Sequence, residues 1–369
     1  MEKLKICHVS LAVYPDHRDG SAKFERNIYE ELKARGHDII LLTVQWAEGF
    51  QDSNIHTIDV PNSRFLWVPK YSWTYRNYLK SNEFDILHAN GSRGALPIIL
   101  AKKKYVTHIH DVGPFQTSFS AIPGLKWLER KNARKATKIM CGAQSVRTEI
   151  SEYMNVDKNK ITVVSVGIDP QFKPEPKKGE ILKEKLRLKG PVMFYVGRIA
   201  FYKGVDDIIK AYHIARKEIP DLSCVIGGKP TIKMEPIVEK WKDENPGVQF
   251  VGIIPDEDLP TYYSMADMFV TYSYASEGFG ITPVESLSCG TPVICSDLPA
   301  YKEVLKNQAT FVQPRNPSLL AEQIVKHVKI PEMGIDKVKS AAPLLQNYSW
   351  KEVVNRIESV YSEYLYGEI

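Results

Sequence analysis

The sequence has little of what commonly announces a chemistry. Its five cysteines, Cys7, Cys141, Cys224, Cys289 and Cys295, are widely scattered and form no C-x-x-C pair. That spacing excludes a disulfide framework, a zinc ribbon and a dithiol redox centre, and the thiols read as reduced and buried in a cytoplasmic protein. No uncharged apolar run approaches the roughly 20 residues needed to cross a bilayer, and Met1 to Lys5 passes directly into a strand pattern. Neither a membrane span nor a standard secretory signal is expected. There is no Walker loop, no zinc-ligand spacing, no Ser/His/Asp order and no complete G-x-G-x-x-G. NTPase, hydrolase and dehydrogenase readings therefore lose their usual support. No short-period repeat is visible.

The excess of one sign of charge is small overall, with 49 Lys and Arg against 44 Asp and Glu and a net charge of +5. The distribution is uneven. Residues 60–140 hold fourteen basic residues, from Arg64 to Lys138, against Glu83, Asp85, Asp111 and Glu129, an excess of ten. No nucleic-acid-binding motif accompanies this window, and no nucleic-acid partner is expected. Within it Arg64, Phe65, Trp67, Lys70, Tyr71, Trp73, Tyr75, Arg76, Tyr78 and Lys80 interleave cations with rings. Such a mixture suits an anionic membrane interface, and equally a solvated helix with its rings in the core.

At 369 residues the chain exceeds the usual size of a single core, so two domains are expected. Short apolar runs alternate with helical patterns, which argues for parallel sheets covered by helices on both faces. In the first half, strands are predicted at Lys5 to Ser10, Ile39 to Val44, Asp85 to His88, Tyr105 to Ile109, Lys138 to Cys141 and Ile161 to Val164, with a helix over Ala22 to Arg35. The proline-rich stretch Asp169 to Pro176 reads as a linker. The pattern then restarts, with strands at Val192 to Val196, Ser223 to Ile226, Gln249 to Val251, Met268 to Thr271 and Val293 to Cys295. Helices are predicted over Val205 to Lys217, Pro236 to Asp243, Leu259 to Met265 and Pro317 to Val328. In doubly wound folds ligands sit at the carboxyl ends of the strands.

One stretch, Glu277-Gly-Phe-Gly-Ile-Thr-Pro-Val-Glu285, carries most of the candidate chemistry. Thr282, Pro283 and Glu285 fit a capping box, a purely local role. Glu277 precedes Gly278-Phe279-Gly280, where a backbone can approach a ligand ahead of a helix N-terminus. Carboxylates accept hydroxyl hydrogens and backbone N–H groups bind phosphate, so the pair suits a polyhydroxylated phosphate ester such as a sugar nucleotide. Gly197-Arg198 follows a strand and Lys203-Gly204 precedes a helix. Cations so placed either neutralise a diphosphate leaving group or lie as solvated surface charges. His110-Asp111 ends a strand, and Gly20-Ser21 opens the first helix. The acidic triplet Asp256-Glu257-Asp258 precedes the Leu259 helix, where acids favour the helix dipole and cap its N–H groups; no metal site is expected there.

These residues together resemble a family 4 retaining glycosyltransferase of the glycosyl transferases group 1. The likeness runs through the Gly20 loop, Asp85 to His88, Thr107 to Asp111, Val166-Gly-Ile-Asp169, Val196-Gly-Arg198 with Lys203-Gly204, Phe250-Val-Gly252, Ala266-Asp267, and Glu277 through Val293. The resemblance implies an α/β protein of GT-B fold, two doubly wound Rossmann-like domains facing each other across a cleft. Residues 1–170 would form the acceptor-side domain, residues 171–349 the nucleotide-sugar domain, and a helix at about 350–369 would pack back on the first. It implies a hexosyltransferase that moves a hexose from a UDP- or GDP-sugar, with retention, to a saccharide or lipid-linked acceptor in glycolipid or polysaccharide biosynthesis. Glu277 would contact the sugar hydroxyls and Glu285 the ribose. Backbone N–H groups of Phe279, Gly280, Ile281 and Thr282 would meet sugar and diphosphate. Arg198 and Lys203 would stabilise the departing diphosphate, and His110 would line the sugar pocket from the opposite domain.

Gly20-Ser21 stands where the family has a glycine pair at the donor. Val166 and Asn90 replace an asparagine and a histidine common in the family. No metal and no cofactor beyond the donor co-substrate would be needed. A cytoplasmic enzyme, peripheral at the inner membrane face through residues 60–140, is the expected setting. A nucleotide-sugar epimerase or hydrolase of the same fold, and a catalytically silent scaffold, are the alternatives. UDP-glucose, UDP-N-acetylglucosamine and GDP-mannose would share the same diphosphate and ribose contacts.

Overall fold

The computed structural model describes residues 2–16, 19–46, 49–59, 67–116, 124–275 and 277–367. Arg64 and Phe65 of the aromatic stretch lie outside them, as does the side chain of Trp67. The chain divides into two units, one made of residues 1–167 with 350–369 and the other of residues 168–349.

The first unit is built on a parallel sheet of β1 Lys5–Val9, β2 Asp38–Gln45, β3 Ile55–Asp59, β4 Ile86–Asn90, β5 Val106–His108, β6 Lys138–Cys141 and β7 Ile161–Val163. Its spatial order is β3-β2-β1-β4-β5-β6-β7. The chain winds outward from β1 to β3, returns beside β1 as β4, and then winds the other way. The order therefore reverses between β1 and β4, where Ile6 to Val9 pair with Ile86 to Ala89. Helix Gly20–Ala34 lays Ala22, Phe24, Ile28 and Leu32 into the core. The helix Trp350–Tyr366 adds Val353, Val354, Ile357, Val360 and Tyr361 to that same core. Polar contacts hold it there. The Tyr361 hydroxyl meets His8 Nε2 at 3.1 Å and His88 Nδ1 at 2.8 Å, and Lys138 reaches Glu363 at 2.9 Å.

Two helices of this unit are explained only by the fold around them. Gly91–Ala101 is a helix despite Gly91, Gly94 and Pro97. A Cβ on Gly94 would lie 2.2 Å from the Val9 carbonyl oxygen, so the helix crosses β1 too closely for a side chain. Helix Trp67–Ser81 divides its rings. Tyr71 and Tyr75 are buried, while Trp73 stands exposed with the Arg76 guanidinium 4.5 Å from its ring centre. The interleaved stretch is thus not one aromatic face, because the helical period carries Tyr71, Tyr75 and Leu79 inward.

The second unit has a parallel sheet of β8 Val192–Val196, β9 Ser223–Gly227, β10 Val248–Gly252, β11 Met268–Thr271, β12 Val293–Ser296 and β13 Thr310–Val312. Its order is β10-β9-β8-β11-β12-β13, which reverses between β8 and β11. The inner strands are almost continuously apolar because helices cover both faces. Helices Val205–Ala215, Glu235–Glu244, Leu259–Met265 and Pro317–Lys329 supply part of that cover. Both units are doubly wound, and in each the reversal of strand order opens a crevice at the carboxyl ends of two neighbouring strands.

Candidate active site

In the second unit the chain leaves β8 through Gly197-Arg198 and the turn Phe201–Lys203, and leaves β11 through Tyr272-Ser273-Tyr274. These are the two strands flanking the reversal, so residues more than seventy positions apart meet there. Lys203 Nζ lies 2.5 Å from Glu277 Oε1, and both side chains are mostly buried. The same carboxylate oxygen accepts a hydrogen bond from Ser273 Oγ at 2.5 Å. Ser273 is itself fully buried, its carbonyl held by Ser296 Oγ at 2.7 Å.

The lysine turn is clamped to the strand end. Tyr274 N–H donates to the Tyr202 carbonyl at 2.7 Å, and the Tyr274 hydroxyl donates to Asp206 and Asp207 at 3.0 and 2.8 Å. Gly204 has φ +62°, and a Cβ there would lie 2.2 Å from the Tyr272 carbonyl oxygen. Arg198 donates from its guanidinium to the Tyr202 hydroxyl at 2.9 Å.

Helix Ile281–Ser288 begins from Gly280 in left-handed backbone, φ +83°, with no side chain capping it. The capping box suggested by Thr282 and Glu285 is not formed. Gly280 makes the turn into the helix, so Thr282 is already its second residue and Glu285 lies too deep to reach back. Glu285 instead is buried and accepts from the Tyr263 hydroxyl at 2.8 Å. Burial and that carboxylate hold the Tyr263 hydroxyl well above its ordinary pKa. Phe279 packs edge-on against Tyr348 at 5.1 Å. Asp258 at the start of helix Leu259–Met265 also makes no side-chain cap, so the acidic triplet's expected capping is absent at this residue. Among the described residues no group of three or more His, Cys, Asp or Glu side chains is arranged to hold a metal ion.

In the first unit the corresponding reversal gathers a different set. His110 Nε2 meets Asn90 Oδ1 at 2.7 Å, and Asn90 Nδ2 donates to Ser10 Oγ at 3.2 Å and to the Ser21 carbonyl at 3.3 Å. Asn90 thereby ties the carboxyl ends of β1 and β4 to His110 and the Gly20-Ser21 turn. Burial pulls the His110 pKa down, with Asp111, Asp19 and Glu25 opposing. Asp19 Oδ1 caps the helix, accepting from Ala22 N–H at 2.8 Å and Ser21 Oγ at 2.7 Å. A Cβ on Gly20 would meet nothing within 4 Å, so the unit's own packing does not require glycine there. Nearby, burial raises the Glu129 carboxyl to about 7, with Ser92 Oγ donating to it at 2.6 Å.

Two family models divide the chain between them. One, described as Glycosyltransferase Family 4, matches residues 18–172, and the other, Glycosyl transferases group 1, matches residues 177–342. The chain belongs to glycosyltransferase family 4. The enzyme is 22% identical to an uncharacterized glycosyltransferase of Methanocaldococcus jannaschii over 97% of this chain and 98% of that one. It is 24% identical to O-antigen chain mannosyltransferase B of Escherichia coli, covering 81% and 78%. Against alpha-monoglucosyldiacylglycerol synthase of Streptococcus pneumoniae it is 23% identical, covering 78% and 70%. Among solved structures, Anabaena HepE in complex with UDP and glucose superposes with a TM-score of 0.81 at 19% identity, over 97% of this chain and 99% of that one. WaaG, a glycosyltransferase involved in lipopolysaccharide biosynthesis, superposes with a TM-score of 0.76 at 17% identity, over 98% and 100%. The fold is GT-B, two Rossmann-like domains.

Several residues of the candidate site carry no local mark of a role in this glycosyltransferase's sequence. Ser273 and Tyr274 follow a strand in plain sight, but nothing local marks them as partners of Glu277 and of the lysine turn. Asn90 departs from the family pattern and still makes three polar contacts at the first unit's reversal. Tyr263, twenty-two positions before Glu285, is reached only through the fold. A search for polar residues at or just beyond the carboxyl ends of strands flanking the reversal would have found Ser10, Asn90, Ser273 and Tyr274.

Proposed function

We propose that this glycosyltransferase moves a hexose from a UDP- or GDP-sugar to a saccharide or lipid-linked acceptor with retention, in glycolipid or polysaccharide biosynthesis. The observation that carries the reading is the grouping of Lys203, Glu277, Ser273 and Arg198 where strand order reverses in the second unit. Lys203 and Arg198 supply positive charge for a departing diphosphate, Glu277 accepts sugar hydroxyls, and Glu285, fixed by Tyr263, accepts from the ribose. Backbone N–H groups from Phe279 to Thr282 face the same donor at the start of their helix. Within the first unit, His110 and the Gly20-Ser21 turn stand together at that unit's own reversal of strand order through Asn90.

Glu277 is engaged by a lysine and a serine, which suits a binding role better than that of a nucleophile. Front-face attack by the acceptor hydroxyl on an oxocarbenium-like sugar, with the leaving phosphate taking the proton, follows from this assignment. Because lysine and arginine carry the compensating charge, catalysis needs no metal. The mannosyl, glucosyl and O-antigen names of relatives, and the UDP and glucose held by HepE, support a nucleotide-sugar donor and a glycan or glycolipid product. The enzyme acts on the cytoplasmic side of a membrane, against which Trp73 with Arg76, and Trp127 with Lys131 4.4 Å from its ring centre, are exposed contact points.

A thermal-shift panel of UDP-glucose, UDP-N-acetylglucosamine and GDP-mannose selects the donor. NMR of the product's anomeric proton then reads the configuration. Retained configuration and undiminished transfer in excess EDTA support the reading. Inversion, or loss of activity restored by manganese, refutes it.

A further inference from the structure

The proposed donor site presents its two most important charges to each other. Lys203, assigned to the diphosphate, and Glu277, assigned to the sugar, form one ion pair at 2.5 Å, with side-chain exposures of 19% and 9%. Neither partner is loose. Ser273 Oγ holds Glu277 Oε1, and the Tyr274 clamp holds the lysine turn. Glu277 therefore cannot follow Lys203 when the ammonium turns toward a ligand.

We propose that this pair lets the enzyme discriminate an intact sugar nucleotide from a bare nucleoside diphosphate, with Ser273 as the positioning residue that keeps Glu277 in place. The inference rests on the reading of the site as a sugar-nucleotide site. A bare diphosphate that draws Lys203 away leaves a mostly buried carboxylate with one serine donor, beside the phosphate's own negative charge. Stripping a buried charge of its partner is costly. An intact donor resolves the conflict from its other end, because its sugar hydroxyls donate to Glu277 as Lys203 turns to the diphosphate. Only a ligand carrying both groups satisfies both residues. The spent nucleotide left after transfer carries one of them, so the pair re-forms and favours its release.

Calorimetric titration of wild type, Glu277→Gln and Lys203→Ala with UDP, UDP-glucose, GDP and GDP-mannose tests this. In Glu277→Gln the lysine is released, so the bare diphosphate of the accepted base binds about fivefold tighter or more, while its sugar ester binds more weakly. In Lys203→Ala the sugar ester loses about tenfold or more in affinity, whereas the bare diphosphate loses less than about threefold, because wild type spends that lysine on Glu277. Circular dichroism melts confirm that the variants fold, and if Glu277→Gln does not, the Lys203→Ala comparison decides alone. Unchanged or weaker diphosphate binding in Glu277→Gln overturns the proposal and leaves the sugar-nucleotide reading standing, as do equal losses for both ligands in Lys203→Ala. Failure of wild type to bind any of the four overturns that reading itself.

Discussion

Replacing Tyr263 with phenylalanine isolates one atom of the site. The ring is fully buried among Phe172, Phe194 and Phe269, with centroid separations of 6.1, 5.5 and 5.3 Å, so phenylalanine keeps the packing and removes only the hydroxyl. That hydroxyl donates at 2.8 Å to Glu285, which is 5% exposed. A buried hydrogen bond to a charged group contributes about 1.5 to 3 kcal/mol, and the loss falls on a carboxylate that water cannot easily reach. Because Tyr263 stays protonated far above neutrality, the effect does not vary across the working pH range. Tyr263→Phe is expected to lose about 2 kcal/mol in denaturant unfolding of the second unit. Donor KM should rise by up to about tenfold, since a carboxylate that has lost its tyrosine anchor binds ribose less well, while kcat changes little. Wild-type stability together with wild-type donor KM would refute the assignment of Tyr263 as the residue that orients Glu285.

Three further outcomes are expected. Burial holds the His88 and His108 imidazoles well below their ordinary pKa, so both stay neutral in the folded chain where an unfolded chain would bind protons. Their stability contribution is complete above about pH 6.5 and declines below it, by up to about 1.4 kcal/mol per pH unit for each histidine, as denaturant titrations at pH 7.5 and 5.5 will read; no change between the two would count against burial of both as neutral groups. Gly94→Ala should cost about 1 to 3 kcal/mol of stability in the first unit, because its Cβ would press on the Val9 carbonyl at 2.2 Å, and an unchanged melting temperature would show that the helix can lift away. Sedimentation with anionic-lipid vesicles should carry wild type at low salt but not Trp73→Ala with Lys131→Glu; binding that ignores these changes would move the contact elsewhere.

The sheet was readable where burial on both faces leaves no polar residue to interrupt the pattern. Val192 to Val196, Met268 to Thr271 and Lys138 to Cys141 show this directly, and the doubly wound reading followed from their alternation with helices. The helix Gly91–Ala101 was not readable, because its Gly94 answers to a β1 carbonyl that no local window contains. Ile55–Asp59 and Thr310–Val312 were missed as short edge strands with only partly buried patterns. The candidate site divides the same way. Residue types and the spacing of Glu277 and Glu285 pointed to sugar and phosphate, and the apparent capping box was a local pattern defeated by Gly280. The Lys203 to Glu277 contact spans 74 positions and exists only once β8 and β11 lie side by side.

The placement of helix Trp350–Tyr366 bears on the order in which the protein can be made. All seven strands of the first sheet have been translated by Val163, yet the core beneath them still lacks Trp350, Val353, Val354, Ile357, Val360 and Tyr361. These side chains arrive only after residues 168–349 have been synthesised. The second unit, continuous in sequence, can close on the ribosome as it emerges, while the first waits with His8 and His88 lacking their tyrosine. The unit begun first is finished last, and a ribosome stalled anywhere within residues 168–349 would release a nascent chain with an open, aggregation-prone N-terminal core.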